Sequence, residues 1–455
     1  MYEDAETGAV NELISLEEFF ALSHMATPLR EITLFVRRSR WYLGSQSVPL
    51  DFMVCSHLDG EGADLSVVYV IVKGGDGGVW NLPIVVTYER SDATPIAEVP
   101  RSGSSPYFIY DATTLKAGQK ALVGDAALSK VEINVPPTSF EQSNTSFIYN
   151  DLYFKLYRRL VPHKNREVKL LEALSQVVEG DVPRVVEVGQ RCGYSTHLIL
   201  ESLDGVDLYR TIKALLTSGD ADGVDRVNKY LSNLGALLAR LHRSLKDLFG
   251  YESVPTDQIY LRAYKRVSER ITALQSAPSG VGYDTSQLEA VVTALSEFIK
   301  RSPLRNDPTK GGGIANTHIQ VIHGDLHLGQ VLLCGDRQVV IDFEGEVLGE
   351  VDDWFKAKEY DLAGVARSIH YASFESGYLL ANGGEMVVSK LEDTFLAAYL
   401  NHQNTYDDSP VTAFDRDLYE ILKIEKAVYE LEYEVRAKRG LIAIPASFLL
   451  GKRGE

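Results

Sequence analysis

The sequence predicts an α+β chain of two lobes, a β-rich first half and a helical second half with one hairpin embedded in it. Three observations carry this. β-branched runs crowd the first half and are punctuated by glycine turns, a strong helical period sets in after Gly205, and a short strand with a hairpin interrupts the helices between His318 and Phe343. The 455 residues are 45% apolar and 24% charged, the mix of a folded globular protein. At about 150 residues per domain the length suggests roughly three domains.

The elements follow in order. Leu16–Phe20 opens a short amphipathic helix, and Leu34–Tyr42 ends in the basic-aromatic run Arg37-Arg38-Ser39-Arg40-Trp41-Tyr42. Leu65–Val72 and Leu82–Tyr88 flank Gly74–Gly78, the pattern of a hairpin with a glycine-rich connection. Ser91–Pro106 reads as a connector. Phe147–Tyr149 and Tyr153–Tyr157 form a second hairpin around Asn150-Asp151. Asn165–Leu174 is helical, with Val168, Leu171 and Leu174 on one face. Val182–Val188 and His197–Leu200 are strands. Helices then cover Leu231–Phe249, Leu362–Tyr371, Met386–His402 and Leu418–Lys438.

The net charge of −17 opposes nonspecific binding to nucleic acid or anionic membrane. Cys55, Cys192 and Cys334 lie far apart without a CxxC or Cys/His cluster, which argues against a disulfide scaffold or a zinc site and fits a reducing cytoplasm. The acidic, polar start is not a signal peptide, and the run Val67–Val72 is far short of the ~20 residues a membrane helix needs.

The chemistry-bearing stretch is His323-Gly324-Asp325-Leu326-His327-Leu328-Gly329-Gln330, followed by Ile341-Asp342-Phe343-Glu344. Phosphoryl transfer needs a carboxylate to accept the proton of the attacking hydroxyl. It also needs an amide oxygen and a second carboxylate to hold Mg²⁺ on the nucleotide phosphates. Asp325 and Gln330 stand five positions apart, the Asp-to-Asn spacing of a kinase catalytic loop, with Gln as a neutral oxygen on a longer arm. The hairpin of Val331–Cys334 with Gln338–Phe343 folds Asp342 back beside both, and an oxygen-only set suits a hard cation such as Mg²⁺. Alone, Asp325 is as well explained as a turn cap and Gln330 as a buried amide. Their order on a loop followed by a hairpin favours phosphoryl transfer. His323 orders this loop as part of the catalytic set, and His327 either faces the acceptor or packs. Glu344 reaches a second metal or the acceptor, and Asp361 and Arg367 brace the loop.

A kinase also needs groups that hold the phosphates. Ser143, Asn144, Thr145 and Ser146 sit at a hairpin mouth and offer hydroxyls, an amide and backbone N–H groups, without a GxGxxG pattern. Lys155 lies on the following strand, and Glu167 begins the next helix as its expected brace. Both could instead be surface charges, although aromatic residues flank Lys155. His197–Ser202, with Glu201, falls where an adenine-contacting hinge is expected. Residues 141–170 hold six Lys/Arg and three Asp/Glu, whereas 342–361 hold eight Asp/Glu and two Lys.

His323–Gln330 with Asp342–Glu346 resembles the aminoglycoside-phosphotransferase-like kinases and, more closely, the bacterial maltokinases. Arg40-Trp41-Tyr42 with Gly44 resembles the N-terminal cap signature of the latter. Glu141–Ser146, Lys155 and Arg158-Arg159 are similar to its phosphate loop and lysine strand, and Leu234–His242 to a shared helix. Asp361–Ser368 resembles the segment after the metal site, and Lys426–Glu434 with Pro445 the C-terminal signature.

The resemblance implies a bilobal protein-kinase-like fold with an extra N-terminal α+β cap subdomain. Its parts would be a cap over 1–90, an intermediate region and nucleotide-binding N-lobe over 91–202, and a helical C-lobe with the sugar site over 203–455. It implies ATP and Mg²⁺ as cofactors and maltose as the acceptor, giving maltose 1-phosphate, with His327, Glu346, Lys426, Tyr429, Glu430 and Tyr433 at the sugar. On a helix Lys426, Tyr429, Glu430, Tyr433 and Glu434 share a face whose charges and rings suit a sugar, or equally an exposed helix held by Lys/Glu pairs. A cytoplasmic monomer and a functional link to trehalose synthase go with the family. Two departures bear on the acceptor: the acidic-aromatic Leu348–Tyr360, and Ser45 after the cap glycine. Two rivals remain, a kinase of glucosamine or an aminoglycoside on the same fold, and a catalytically silent kinase fold that only binds.

Overall fold

A computed structural model describes residues 14–22, 28–42, 44–59, 65–101, 104–124, 144–162, 165–275, 290, 293, 316–346, 354–379, 384–404, 414–437 and 441–451. The chain separates into two compact units, Met1–Ser175 with Pro183–Leu203, and Gln176–Val182 with Asp204–Glu455. The architecture is α+β.

The first unit holds two antiparallel sheets. The larger is built from β1 (Ile14–Ser15), β2 (Leu50–Asp59), β3 (Leu65–Gly74), β4 (Val79–Thr87), β5 (Ala97–Arg101) and β6 (Ser104–Asp111), in the order β1-β2-β3-β4-β6-β5. Its continuous apolar strands are explained by burial on both faces. Val68, Val70 and Val72 of β3 with Leu82, Ile84 and Val86 of β4 pack on α1 (Leu16–Leu22) and α2 (Leu29–Arg38). The alternate residues Val67, Tyr69 and Val85 pack with Leu122 of α3 (Lys116–Val123) and with Phe147, Phe154 and Ile199. Those last three belong to the smaller sheet: β7 (Thr145–Tyr149), β8 (Leu152–Leu156), β9 (Val185–Arg191) and β10 (Tyr194–Glu201), in the order β7-β8-β10-β9. Helix α4 (Arg166–Leu174) follows β8, capped by the Asn165 side chain, which accepts from Glu167 N at 2.8 Å.

Two expectations are corrected here. The stretch Ser91–Pro106 is not a bare connector: it contains β5 and the start of β6, so the larger sheet runs to Asp111, past residue 90. The wide spacing of the cysteines is overruled by the fold, which joins Cys55 and Cys192 in a disulfide across 137 residues, with Cα atoms 6.0 Å apart. Two local irregularities bring them together. The β2–β3 register shifts between Val54 and Ser56, so Cys55 sits in a bulge, which re-aims its side chain. Cys192 adopts φ 50 beside Gly193 at φ 80 in the β9–β10 turn.

Two residues of the stretch Arg40–Gly44 are packing residues. Trp41 and Tyr42 are buried, and Tyr42 lies 4.7 Å from the Trp80 ring. Arg158 fastens the two sheets of this unit: it donates to Asp111 Oδ2 at 2.6 Å and to Thr145 Oγ1 at 2.8 Å, with its guanidinium 5.0 Å from the Trp41 ring.

The second unit is mainly helical: α5 (Leu208–Ser218), α6 (Ala221–Phe249), α7 (Thr256–Gln275), α8 (Glu359–Glu375), α9 (Gly384–Asn404), α10 (Arg416–Ala437) and α11 (Ala443–Gly451). Asp207 and Asp220 cap α5 and α6 through Arg210 N and Gly223 N. Val267, Ile271 and Leu274 of α7 pack with Val428, Leu431 and Val435 of α10 and Leu449 of α11. Two three-stranded sheets complete the unit. One is β11 (Val206–Asp207), β14 (Val331–Cys334) and β15 (Arg337–Val340), and the other β12 (Tyr251–Pro255), β13 (Asn316–Val321) and β16 (Phe355–Ala357). No helix among the described residues is long and apolar enough to cross a membrane.

Candidate active site

In the second unit the chain leaves β13 through His323–Gln330 and returns along the β14–β15 hairpin, which brings Gln330 against Asp342. Gln330 Nε2 donates to Asp342 Oδ2 at 2.8 Å. With its nitrogen engaged, Gln330 can offer its oxygen to a cation. An amide oxygen and a carboxylate form a donor set that fits Mg²⁺. The β15 strand ends at Val340, so Asp342 lies past the strand end where it was expected, and it adopts φ 66. Such a left-handed conformation costs a non-glycine residue about 1–3 kcal/mol and concentrates at functional sites.

The loop is braced from beneath. His323, fully buried, pairs its Nε2 with Ile341 O at 2.9 Å, while its Nδ1 accepts from Asp325 N at 3.3 Å. His323 N and Gly324 N both donate to the Asp361 carboxylate of α8, at 2.8 and 2.9 Å. His242 of α6 meets the same carboxylate at 3.0 Å and Tyr399 Oη at 2.9 Å. Burial opposes ionisation of Asp361, yet hydrogen bonds from His242 and the loop hold its pKa below the ordinary value. Leu328 N donates to Ser368 Oγ. The helix comes so close that a Cβ on Gly364 would stand 2.2 Å from Leu326 O. Asp361 thus braces the loop as expected. His242 was missed as part of the brace: a histidine in a leucine stripe carries no sign in sequence of an aspartate 119 residues away.

Asp325 presents its carboxylate to Lys426 of α10, whose Nζ donates to Asp325 Oδ1 at 2.9 Å and to Glu346 Oε1 at 2.7 Å. Burial disfavours the Lys426 charge, but the two carboxylates hold its pKa well above the usual lysine range. Burial likewise opposes ionisation of Glu346, and Lys426 and Lys356 bring its pKa down to about 2. Glu430 receives Nε and Nη2 of Arg367 at 3.0 and 2.8 Å. Tyr429 lies under Arg270, 4.7 Å from its ring, and Tyr433 is half-buried on the same helix. His327 accepts from Gly329 N at 3.1 Å, and desolvation lowers its pKa. Glu344 lies two residues past Asp342, half-buried.

In the first unit Lys155 Nζ meets Glu167 Oε2 at 3.0 Å, with both side chains almost wholly buried. Tyr157 Oη donates to the same oxygen at 2.9 Å. Neither is a surface charge. Lys155 pairs with Ser146 across β7–β8, and Asn144 Oδ1 and Thr145 Oγ1 accept from Arg158. Ser143 lies outside the described residues. Glu201 ends β10, and its side chain accepts from Arg184 N at 3.1 Å.

Residues 136–351 match the phosphotransferase enzyme family (APH). The glucosamine kinase of Mycolicibacterium smegmatis is 27% identical over 248 residues, covering 51% of this chain and 56% of that protein. The match thus spans little more than half the length of that relative. A solved structure of glucosamine kinase in complex with glucosamine, ADP and inorganic phosphate aligns with a TM-score of 0.62 at 19% identity, over 92% of this chain and 98% of that one. Crystal form A of glucosamine kinase aligns with a TM-score of 0.64 at 19% identity, over 88% of this chain and 92% of that one. At this identity the likeness establishes the protein-kinase-like fold. Over residues 136–351 the chain is similar to the phosphotransferase enzyme family.

Proposed function

We propose that this chain is an ATP- and Mg²⁺-dependent kinase that phosphorylates a sugar hydroxyl. The arrangement of Asp325, Gln330 and Asp342 on one braced loop and hairpin, with Gln330 against Asp342 at 2.8 Å, carries this reading. Asp325 is the base that takes the acceptor's proton. Lys155, oriented by Glu167, holds the α- and β-phosphates, and backbone N–H groups around Asn144–Ser146 and the Glu201 segment serve the nucleotide. Gln330 and Asp342 would hold Mg²⁺, with Glu344 as a further oxygen ligand. When bound, the ion supplies charge neutralisation on the transferring phosphates. The protein's own contribution is to place the base and to fix the loop through Asp361 and His323, so that rate comes from positioning and preset charge.

The acceptor favoured by the relatives is an amino sugar, glucosamine. Maltose, giving maltose 1-phosphate, is the second reading, and it rests on the likeness of Lys426–Glu434 to the maltokinase signature. A link to trehalose synthase belongs to that reading alone. Two of the helix residues assigned to the sugar, Lys426 and Glu430, already have protein partners, which leaves fewer groups for a disaccharide. A coupled ADP-release assay with glucosamine, maltose, glucose and an aminoglycoside tests both. Turnover with maltose and none with glucosamine would reverse the preference, and no ADP release with any acceptor would remove the kinase reading.

A further inference from the structure

The environment of Lys426 gives it a role other than sugar contact. The ammonium has three protons, and two of them point at carboxylates, Asp325 Oδ1 at 2.9 Å and Glu346 Oε1 at 2.7 Å. Tyr360 and Tyr429 flank it, with their ring centroids 5.6 and 5.0 Å from Nζ. The lysine side chain is 8% exposed and that of Glu346 5%, against 24% for Asp325. Asp325 is therefore the one carboxylate of the three-residue cluster that opens outward. On the inner side its backbone N donates to His323 Nδ1. Oδ1 is taken by the lysine, whereas Oδ2 has no hydrogen bond among the described residues. The carboxylate is thus held at one oxygen and presents the other.

Resting on the kinase reading above, we infer that Lys426 is a positioning residue: anchored by Glu346, it orients the Asp325 carboxylate so that Oδ2 meets the acceptor hydroxyl. Glu346 lies four residues past Asp342, so the anchor ties the loop of the base to the segment of the metal ligands through one cation. A buried ammonium held by one carboxylate could swing, but two opposed carboxylates fix its direction. No bond is made or broken at Lys426 in this role. The proton taken by Asp325 comes from the acceptor hydroxyl, whose oxygen bonds to the γ-phosphorus as ADP leaves.

The alternative is that Lys426 binds the sugar directly with its third proton. The two roles divide between kcat and KM. The experiment measures steady-state kinetics of the full chain with ATP, Mg²⁺ and the acceptor that the panel identifies, for the wild type, Lys426→Met, Lys426→Arg and Glu346→Gln. ADP affinity and thermal unfolding serve as controls. Positioning predicts that Lys426→Met lowers kcat about 10²-fold with acceptor KM within about threefold. Lys426→Arg, which keeps the charge, should recover most of the loss. Glu346→Gln should lower kcat by about tenfold. Adding it to Lys426→Met should bring little further loss, because the two act as one unit. An acceptor KM raised tenfold or more with kcat retained makes Lys426 a sugar ligand and overturns the inference while leaving the kinase reading intact. A wild type without ADP release on any acceptor overturns both. Should Lys426→Met not fold, Glu346→Gln decides by the same division: a loss confined to kcat supports the role, and a loss confined to KM sinks it.

Discussion

Each unit buries a lysine, and the two are stabilised differently. Lys155 of β8 meets Glu167 at the start of the next helix, and the Tyr157 hydroxyl donates to the same carboxylate oxygen. Lys426 of α10 meets two carboxylates, 101 and 80 residues back in the chain, and sits beside two tyrosine rings. The first arrangement is local, with lysine and carboxylate on adjoining elements and both shielded from solvent. The second is long-range and asymmetric, with one cation between two anions and one of those anions facing outward. A buried pair is poor evidence of stability but is costly to break on one side. A cluster with an excess carboxylate instead leaves one negative group facing outward, and the proposed roles of brace and base rest on that difference.

The largest effect should come from the outward carboxylate. Asp325→Asn keeps shape and hydrogen bonding but cannot accept the proton, so kcat should fall by about 10²–10⁴-fold. ADP affinity, measured by calorimetry, should stay within twofold or so. Retained turnover would remove Asp325 from the mechanism and with it the contrast between the units. Next comes the brace. Lys155→Met leaves Glu167 buried without its cation and should cost about 3–5 kcal/mol of folding stability along with nucleotide affinity. Pairing it with Glu167→Leu should restore most of the stability and none of the activity, because an apolar pair substitutes well for a buried ion pair. The matching pair in the second unit, Lys426→Met with Glu346→Leu, should not recover in the same way, since Asp325 still lacks a counter-charge. Equal recovery in both would mean that the cluster is two independent pairs.

The same contrast explains what could be read in the sequence. The hairpin that returns Asp342 to Gln330 is local, so residue spacing alone predicted their meeting. Lys155 and Glu167 were legible for the same reason, lying on adjoining elements. The meeting of Lys426 with Asp325, and of Arg367 with Glu430, depends on how helices pack, and no spacing encodes it. The helical period put Lys426 and Glu430 on one face but could not say whether a sugar or the protein would meet them. The strand Ala97–Arg101 hid in an apparent connector because it is an edge strand, where Pro100 and Glu98 are tolerated and the apolar alternation is weak. Cys55 and Cys192 hid because the bulge and the tight turn that join them have no signature in cysteine spacing.

The disulfide gives a further way to separate the units. It joins two residues of the first unit and closes a long loop of which only Gln176–Val182 belong to the second. Loops of that length constrain the unfolded chain, and removing such a bridge commonly costs about 2–4 kcal/mol. Cys55→Ser or a reductant should therefore lower the denaturant midpoint of the first unit and spare that of the second. Equal shifts of both transitions would show that the units do not unfold separately, and no shift would mean that the bridge contributes nothing.

The smallest effect is in pH, and each unit supplies a desolvated histidine to compare. Desolvation lowers the His197 pKa to about 3 in the first unit, with Arg191 adding to it. His370 in the second is lowered to about 3 by desolvation together with Arg367 and Lys423. The unfolded chain protonates histidine near its ordinary value, about 6.5, while the folded chain resists until near 3. Unfolding therefore takes up a proton in that window. The stability is fully present above about pH 6.5 and is lost as pH falls, at about 1.4 kcal/mol per pH unit for each histidine. Between pH 6.5 and 5 this comes to about 2 kcal/mol apiece. His197 lies stacked on Phe154, 4.9 Å between centroids, beside Gly189, where any Cβ would strike its ring. His370 has two cations among the causes, Arg367 and Lys423, against the one beside His197, and salt screens charge but not desolvation. His197→Gln should flatten the acid slope of the first unit alone, and His370→Gln that of the second. Raising the ionic strength should soften the His370 slope more than the His197 slope. No salt response in either would mean that burial alone keeps both rings neutral, which would confine the charge contrast between the units to their lysines.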